Sequence, residues 1–173
     1  MDAIKCLMER RSIRSFTDKR ISREDLETIV KAAYHAPSGM NRQTWQFTVV
    51  QNGEIIESLA ECLRVKLGRD KGYCFYRPNA VILCSNKRDN HLGQDDCAVA
   101  MENIFLAAHA LGIGSVWINQ FKGVCDDDSV RAEIRKIGVP DDHVVYGMAA
   151  LGYAADDAVR NFEKNPNVVK WVM

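Results

Sequence analysis

The chain has 173 residues, 47% of them hydrophobic and 27% charged, which fits one domain spanning residues 1–173, of ordinary globular composition and long enough to bury a core. Its 23 basic and 23 acidic side chains cancel, so the electrostatic footprint of a nucleic-acid partner is absent. The longest nearly apolar stretch, VVYGMAALGYAA (144–155), is shorter than the ~20 residues a membrane helix needs, and MDAIKCLMERR lacks the apolar core of a secretory signal. A cytoplasmic protein with neither nucleic acid nor membrane as partner is expected.

The first predicted element is a helix over residues 3–11, with Ile4, Leu7 and Met8 at helical spacing and Asp2 as its cap. Ser22 and Asp25 make a capping-box-like start to a second helix, whose Leu26, Ile29, Val30 and Ala33 share one face before Pro37 stops it. The loop APSGMNRQTW (36–45) leads to a β-branched run, QFTVV (46–50), and then to a helix over 52–67. AVILC (80–84) does not alternate and reads as a strand buried on both faces, followed by a long apolar helix over 94–111.

IGSVWI (113–118) is a third strand, Asp128 caps a helix SVRAEIRKI, and Gly138 with Pro140 ends it before a strand over 143–153. Strands alternate with helices, which favours a layered α/β or α+β domain with helices on both faces of a sheet. The tail 154–173 is polar until NVVKWV (167–172). That strand-like end is too apolar for solvent, so it is expected to dock, with a partner subunit as one candidate.

Three stretches hold candidate chemistry. In RRSIRSF (10–16), Arg10, Arg11 and Arg14 crowd like charges at a helix end. Capping of the helix dipole explains the first two; the competing account is an anion held by guanidinium forks, with the Ser12 hydroxyl adding a donor. The loop 36–45 concentrates Pro37, Ser38, Gly39, Asn41 and Gln43. An ordinary turn accounts for that composition, and the same neutral donors and acceptors can also receive a flat heteroaromatic ring.

In LGIGSVWINQF (111–121), Gly112 and Gly114 follow a helix and precede a strand, which reverses the order a Rossmann phosphate loop needs. Gly112 is better explained as the residue just past the helix end. The end of that strand, Trp117, Ile118, Asn119 and Gln120, can floor a pocket. His35, His91, His109 and His143 occur without a recognisable Ser or Cys elbow, so no catalytic nucleophile is assigned. The six cysteines are spread without a C-x-x-C pair, and His91, Asp95, Cys97 and His109 show no familiar zinc spacing, so no metal is expected.

Taken together and in order, RRSIRSF, APSGMNRQTW, DCAVAMENIFLAAHALGIGSVWI and MAALGYA resemble the FMN-dependent nitroreductase family. The resemblance implies an α+β fold with a central mixed sheet flanked by helices, built as an intertwined homodimer with FMN at the subunit interface. It also implies electron flow from NADH or NADPH through FMN to a nitroaromatic, quinone or similar small-molecule acceptor by a ping-pong cycle. A ferredoxin-like donor, or a non-catalytic flavin-storing protein on the same scaffold, are the alternatives. A hydrolase is disfavoured.

Carried over by residue, Arg10 would hold the FMN phosphate, Ser12 would hydrogen-bond the flavin, and Arg14 would reach its pyrimidine edge and stabilise charge there; Arg11 is counted with this basic cluster. Pro37, Ser38, Gly39 and Asn41, with Gln43 beside them, would reach the flavin from the other subunit, and Trp117 to Gln120 would lie beside the ring. Many relatives have an acidic residue followed by Gly where this chain has Asn119 and Gln120. Arg160 and Lys164 are the candidates for a basic pair that the family sets against the phosphate near the C terminus.

Overall fold

Side-chain caps mark where most of the α-helices of the computed structural model begin, the one starting at Gly93 excepted; the structure describes residues 2–156 and 158–173. Helix α1 (Ala3–Glu9) starts where the Asp2 carboxylate accepts from the Lys5 N–H, and α2 (Arg23–Tyr34) where the Ser22 hydroxyl accepts from the Asp25 N–H. After a single 3₁₀ turn (Gly39–Asn41) come β1 (Trp45–Val50) and α3 (Gly53–Lys66), which is capped by Asn52. Next follow β2 (Ala80–Lys87), α4 (Gly93–Ala110), β3 (Gly114–Ile118), α5 (Asp128–Lys136) and β4 (His143–Gly152).

The cap of α5 is Asp127, one residue before the expected Asp128. Asp127 keeps extended backbone and its carboxylate accepts from the Ser129 N–H, whereas Asp128 already has helical geometry and adds its charge to the first turn. Gly112 (φ +74°) and Gly138 (φ +84°) follow the ends of α4 and α5 in the left-handed conformation.

The four strands form one antiparallel sheet in the order β1-β2-β4-β3. β2 lies inside it, and its alternate side chains enter two different cores. Val81 and Leu83 pack with Ile56, Leu59, Leu63, Val130 and Ile134 of α3 and α5. Ala80, Ile82 and Cys84 pack with Leu26, Ile29, Met101 and Ile104 of α2 and α4. Helices on both faces thus explain the unbroken apolar run, because neither face of the strand meets water.

β2 extends three residues beyond the expected Cys84, through a register shift between Cys84 and Ser85. The added Ser85 and Asn86 are polar yet fully buried, and they are tolerated because each finds hydrogen-bond partners.

A parallel contact to β3, outside the four strands, comes from the stretch after α1. Ser12 forms a parallel bridge with Ser115, the Ile13 N–H donates to the Ser115 carbonyl at 2.9 Å, and Phe16 bridges Ala154. This stretch lies flat over two glycines that face each other in register, Gly114 and Gly152. A Cβ on Gly114 would come within 2.9 Å of Ile13, and one on Gly152 within 2.8 Å of Phe16. The glycines therefore allow RRSIRSF to press against the sheet.

The tail departs from its strand-like pattern. Residues 167–172 form no strand, and Val168, Val169, Trp171 and Val172 are 60–86% exposed. Among the described residues, no helix is long and apolar enough to cross a membrane.

Candidate functional site

At the end of α1 the backbone turns extended: Arg10 is the C-cap, with ψ 135°, and its N–H donates to the Cys6 carbonyl. Ile13 is then buried against the sheet, while Ser12 and Arg14 line cavities. One cavity, of about 160 Å³, is lined by Arg10, Ser12, Glu102, Phe105 and Trp117. The Arg10 guanidinium sits 5.8 Å from the Phe105 ring centroid and 3.6 Å from the Glu102 carboxylate. A second cavity, of about 330 Å³, is lined by Ser12, Arg14, Tyr76, Arg160 and Phe162. Ser12 belongs to both, so the two cavities adjoin.

Arg11 is used differently. Its guanidinium donates to the Met8 and Arg10 carbonyls and to Asn161 Oδ1 at 2.8, 2.9 and 3.2 Å, tying the end of α1 to the tail. Helix capping therefore accounts for Arg11. Arg10 and Arg14 instead present their charges to cavities.

Tyr76 was not legible as a site residue. It sits in a turn where Phe75, Tyr76 and Arg77 all have positive φ, 51°, 68° and 51°. Left-handed backbone costs a non-glycine residue roughly 1–2 kcal/mol, and Arg77 also precedes Pro78, which disfavours helical backbone further. CFYRPN contains no glycine to announce such a turn.

The loop 36–45 is held at the first turn of α4. The Gly39 N–H donates to Asp96 Oδ1 at 2.7 Å, and Asn90 Nδ2 donates to the other carboxylate oxygen at 3.1 Å. Asn90 also reaches the Thr44 hydroxyl, which donates to Asn86 Oδ1. Gly39 has no room for a side chain, since a Cβ would stand 2.3 Å from Leu92 Cδ1. Within the loop, Gln43 donates from its backbone to Ser38 Oγ and from its amide to Asn41 Oδ1. Met40, Asn41 and Gln43 all adopt positive φ.

Trp117 lies on the α4 face of the sheet, its ring 5.8 Å from that of Phe105. A Cβ on Gly147 would meet its Nε1 at 2.8 Å, so a glycine in β4 makes room for the indole. Besides the Arg10 cavity, Trp117 lines another of about 320 Å³ with Gln94, Ala98, Asn119, Lys122 and Tyr146. A larger cavity, about 990 Å³, lies elsewhere, as an open groove between α2 and β1 lined by Arg20, Leu26, Val30, Tyr34 and Val49.

Ser85 Oγ and His143 Nδ1 lie 3.0 Å apart, a Ser–His pair that the sequence does not reveal. Both residues are buried, at 0% and 6% exposure, so no substrate reaches the hydroxyl. Burial pushes the His143 imidazole below its ordinary value, which favours the neutral ring.

The nitroreductase family model matches residues 7–153, a span that holds the Arg10 cavity, the Arg14 side of its neighbour, the anchored loop and the whole sheet. The chain belongs to the nitroreductase family. A protein of Archaeoglobus fulgidus, named provisionally as an NADH dehydrogenase/NAD(P)H nitroreductase, is 35% identical over 163 residues, covering 90% of this chain and 87% of that one. An FMN reductase [NAD(P)H] of Bacillus subtilis is 27% identical over 165 residues, covering 86% of this chain and 66% of that one. A crystal structure of a nitroreductase with bound FMN from Bacteroides fragilis superposes over 100% of both chains with a TM-score of 0.92 and 36% identity.

In this member of the family, the single chain gathers only part of the expected set. Arg10, Ser12, Arg14, Arg160 and Trp117 line the adjoining cavities, with Arg160 beside Arg14 rather than Arg10. Asn119 lies on the far side of Trp117. The Ile118 side chain enters the α3/α5 core instead, because alternation along β3 turns it away from Trp117. Gln120 has its Oε1 buried without a partner among the described residues, and Lys164 is exposed.

Pro37, Ser38, Gly39, Asn41 and Gln43 belong to the loop held at Asp96, whereas Arg10 meets α4 at Glu102 and Phe105. Those α4 positions stand about 9 to 14 Å further along the helix axis at 1.5 Å per residue.

Proposed function

We propose that this protein is an FMN-dependent NAD(P)H oxidoreductase that takes hydride from NADH or NADPH and passes electrons to a nitroaromatic, quinone or similar acceptor in a ping-pong cycle. The observation that carries this reading is the pair of adjoining cavities. Arg10, Arg14 and Arg160 supply cationic forks, Ser12 a hydroxyl, and Phe105, Trp117, Tyr76 and Phe162 aromatic walls. A phosphate-bearing heteroaromatic suits that chemistry, since guanidinium binds phosphate through paired N–H donors and rings stack on rings. The bound FMN of the Bacteroides fragilis nitroreductase supports the same ligand.

FMN would supply the hydride and electron transfer. The protein's part is to bind, orient and place charge. Arg10 and Arg160 are suited to the phosphate, Ser12 to a polar edge, and Arg14 to stabilising the negative charge of the reduced cofactor by a preorganised guanidinium.

The cradle is completed by a second copy of the chain. Support comes from the loop's displacement along α4 and from the exposed apolar side chains of Ile4, Leu7 and Met8 on α1, Met40 in the loop and Val99 on α4. The exposed apolar end of the tail is suited to docking on that copy. Lys164 and Gln120 keep their places as secondary candidates for cofactor contacts.

The test is purification followed by anaerobic mixing. Yellow protein that releases FMN on denaturation, bleaches with NADH or NADPH, and recovers its colour with a nitroaromatic or quinone is expected. In the same assay, Arg14→Ala should bind FMN more weakly or reduce it more slowly. Tight FMN that neither nicotinamide bleaches would favour a storage protein or another donor, and protein indifferent to FMN would overturn the reading.

A further inference from the structure

We propose that Tyr76 is a positioning residue that holds the Arg14 guanidinium toward the cavity without neutralising it, and so sets how strongly the site favours reduced flavin. The proposal rests on the flavin reading above. Its basis is a contrast between two arginines of the same cradle. Arg10 meets a carboxylate, Glu102, at 3.6 Å, which offsets part of its charge. Arg14 has no carboxylate within 4.0 Å among the described residues; its guanidinium carbon lies 6.0 Å from the centroid of the Tyr76 ring, and both residues line the cavity of about 330 Å³. A ring face attracts a cation through its quadrupole and leaves the net charge intact.

The backbone that delivers Tyr76 is built for that placement. Three consecutive left-handed residues persist only where surroundings over-determine them, and here both flanks are fixed. Phe75 is 1% exposed and packs against Tyr73 and Phe121 at centroid distances of 5.4 and 6.3 Å. The Arg77 N–H closes the turn on the Cys74 carbonyl at 2.9 Å. Asn79 then donates from its backbone to the Leu151 carbonyl at 2.8 Å and from its side chain to the Thr17 carbonyl at 3.1 Å. Tyr76, between these anchors, is 44% exposed and contributes little to the core. A strained turn that buries Phe75 while turning Tyr76 toward a cation that meets no carboxylate among the described residues fits a functional constraint better than a packing one.

The experiment compares wild type, Tyr76→Phe and Tyr76→Leu in three readouts. Tyr76→Leu should lose roughly twofold to fivefold in affinity for reduced FMN relative to oxidised FMN, so its bound-flavin midpoint potential should fall by about 10–20 mV, that ratio at about 30 mV per tenfold for two electrons. Tyr76→Phe should stay close to wild type, because the ring face remains. In apo-protein NMR, the Arg14 Nε–H signal should carry a ring-current shift in wild type and Tyr76→Phe and lose it in Tyr76→Leu.

Equal affinity and potential in wild type and Tyr76→Leu would overturn the proposal, as would Tyr76→Phe behaving like Tyr76→Leu. The NMR shift separates this failure from that of the flavin reading. If wild type ignores FMN, the flavin reading falls, while loss of the shift in Tyr76→Leu still tests whether the ring holds Arg14.

Discussion

The Gly39 N–H donates to the Asp96 carboxylate at 2.7 Å across 57 positions of sequence, so the first turn of α4 holds the candidate flavin loop in place. Asp96 is 4% exposed, and its second oxygen accepts from Asn90. Asp96→Ala takes the acceptor from the half-buried Gly39 N–H and from one N–H of buried Asn90 and should cost about 2–3 kcal/mol, or a melting temperature lower by roughly 4–12 °C for a chain of this size. Faster amide exchange at Gly39 in Asp96→Ala, with Asp96→Asn much nearer wild type, would identify the loop as the part released. Unchanged exchange at Gly39 would show that the loop is held by other contacts.

Glu102 competes for Arg10. Both side chains keep contact with solvent, at 26% and 48% exposure, so the ion pair is screened and worth only a fraction of a kcal/mol. Glu102→Gln should free the guanidinium and tighten FMN about twofold, more at low salt than at high. Riboflavin, which lacks the phosphate, should bind Glu102→Gln and wild type alike. An equal gain for riboflavin would take Arg10 away from the phosphate.

Much of this arrangement was legible in the sequence because it depends on local chemistry. The Asp2 and Ser22 caps, the two-sided burial of AVILC, and Gly112 past the end of α4 each follow from a few neighbouring residues. The displaced α5 cap shows the limit of that information, since Asp127 and Asp128 are chemically identical and only backbone geometry selects between them. Long-range features were illegible for another reason. Neither the Asp96–Gly39 link nor the pairing of Arg14 with Tyr76 leaves a pattern along the chain, and left-handed backbone at Phe75, Tyr76 and Arg77 contradicts their residue types. The crowded sequence RRSIRSF pointed to Ser12 and Arg14 and the resemblance gave them flavin roles, whereas Glu102, Phe105 and Tyr76 required the folded chain.

Arg77 gives a direct measure of strain in that turn. Its side chain is exposed and its φ is 51°, a conformation glycine adopts without steric cost. Arg77→Gly relieves roughly 1–2 kcal/mol of left-handed strain and gives back about 0.4–1 kcal/mol through the freer unfolded chain. A net gain of about 0.5 kcal/mol is expected, or 1–2 °C in melting temperature. A loss of several degrees would show that the side chain makes a stabilising contact, and that the turn is less strained than its geometry indicates.

The Ser85–His143 pair should make stability sensitive to mild acid. Burial lowers the His143 value from 6.5, with Lys87 and Arg131 adding repulsion and Asp142 opposing them. The unfolded chain therefore binds this proton more readily than the folded one. The stability that the neutral ring contributes is complete above about pH 6.5 and declines as pH falls through the folded value. Asp126, held well below the usual carboxylate range by Arg88 and Arg131, contributes its own decline only below about pH 4, so the two windows separate. His143→Asn keeps a polar group near Ser85 but cannot titrate. Thermal melts from pH 8 to pH 4.5 should show a falling midpoint in wild type and a flatter profile in His143→Asn; parallel profiles would assign the acid sensitivity to other groups.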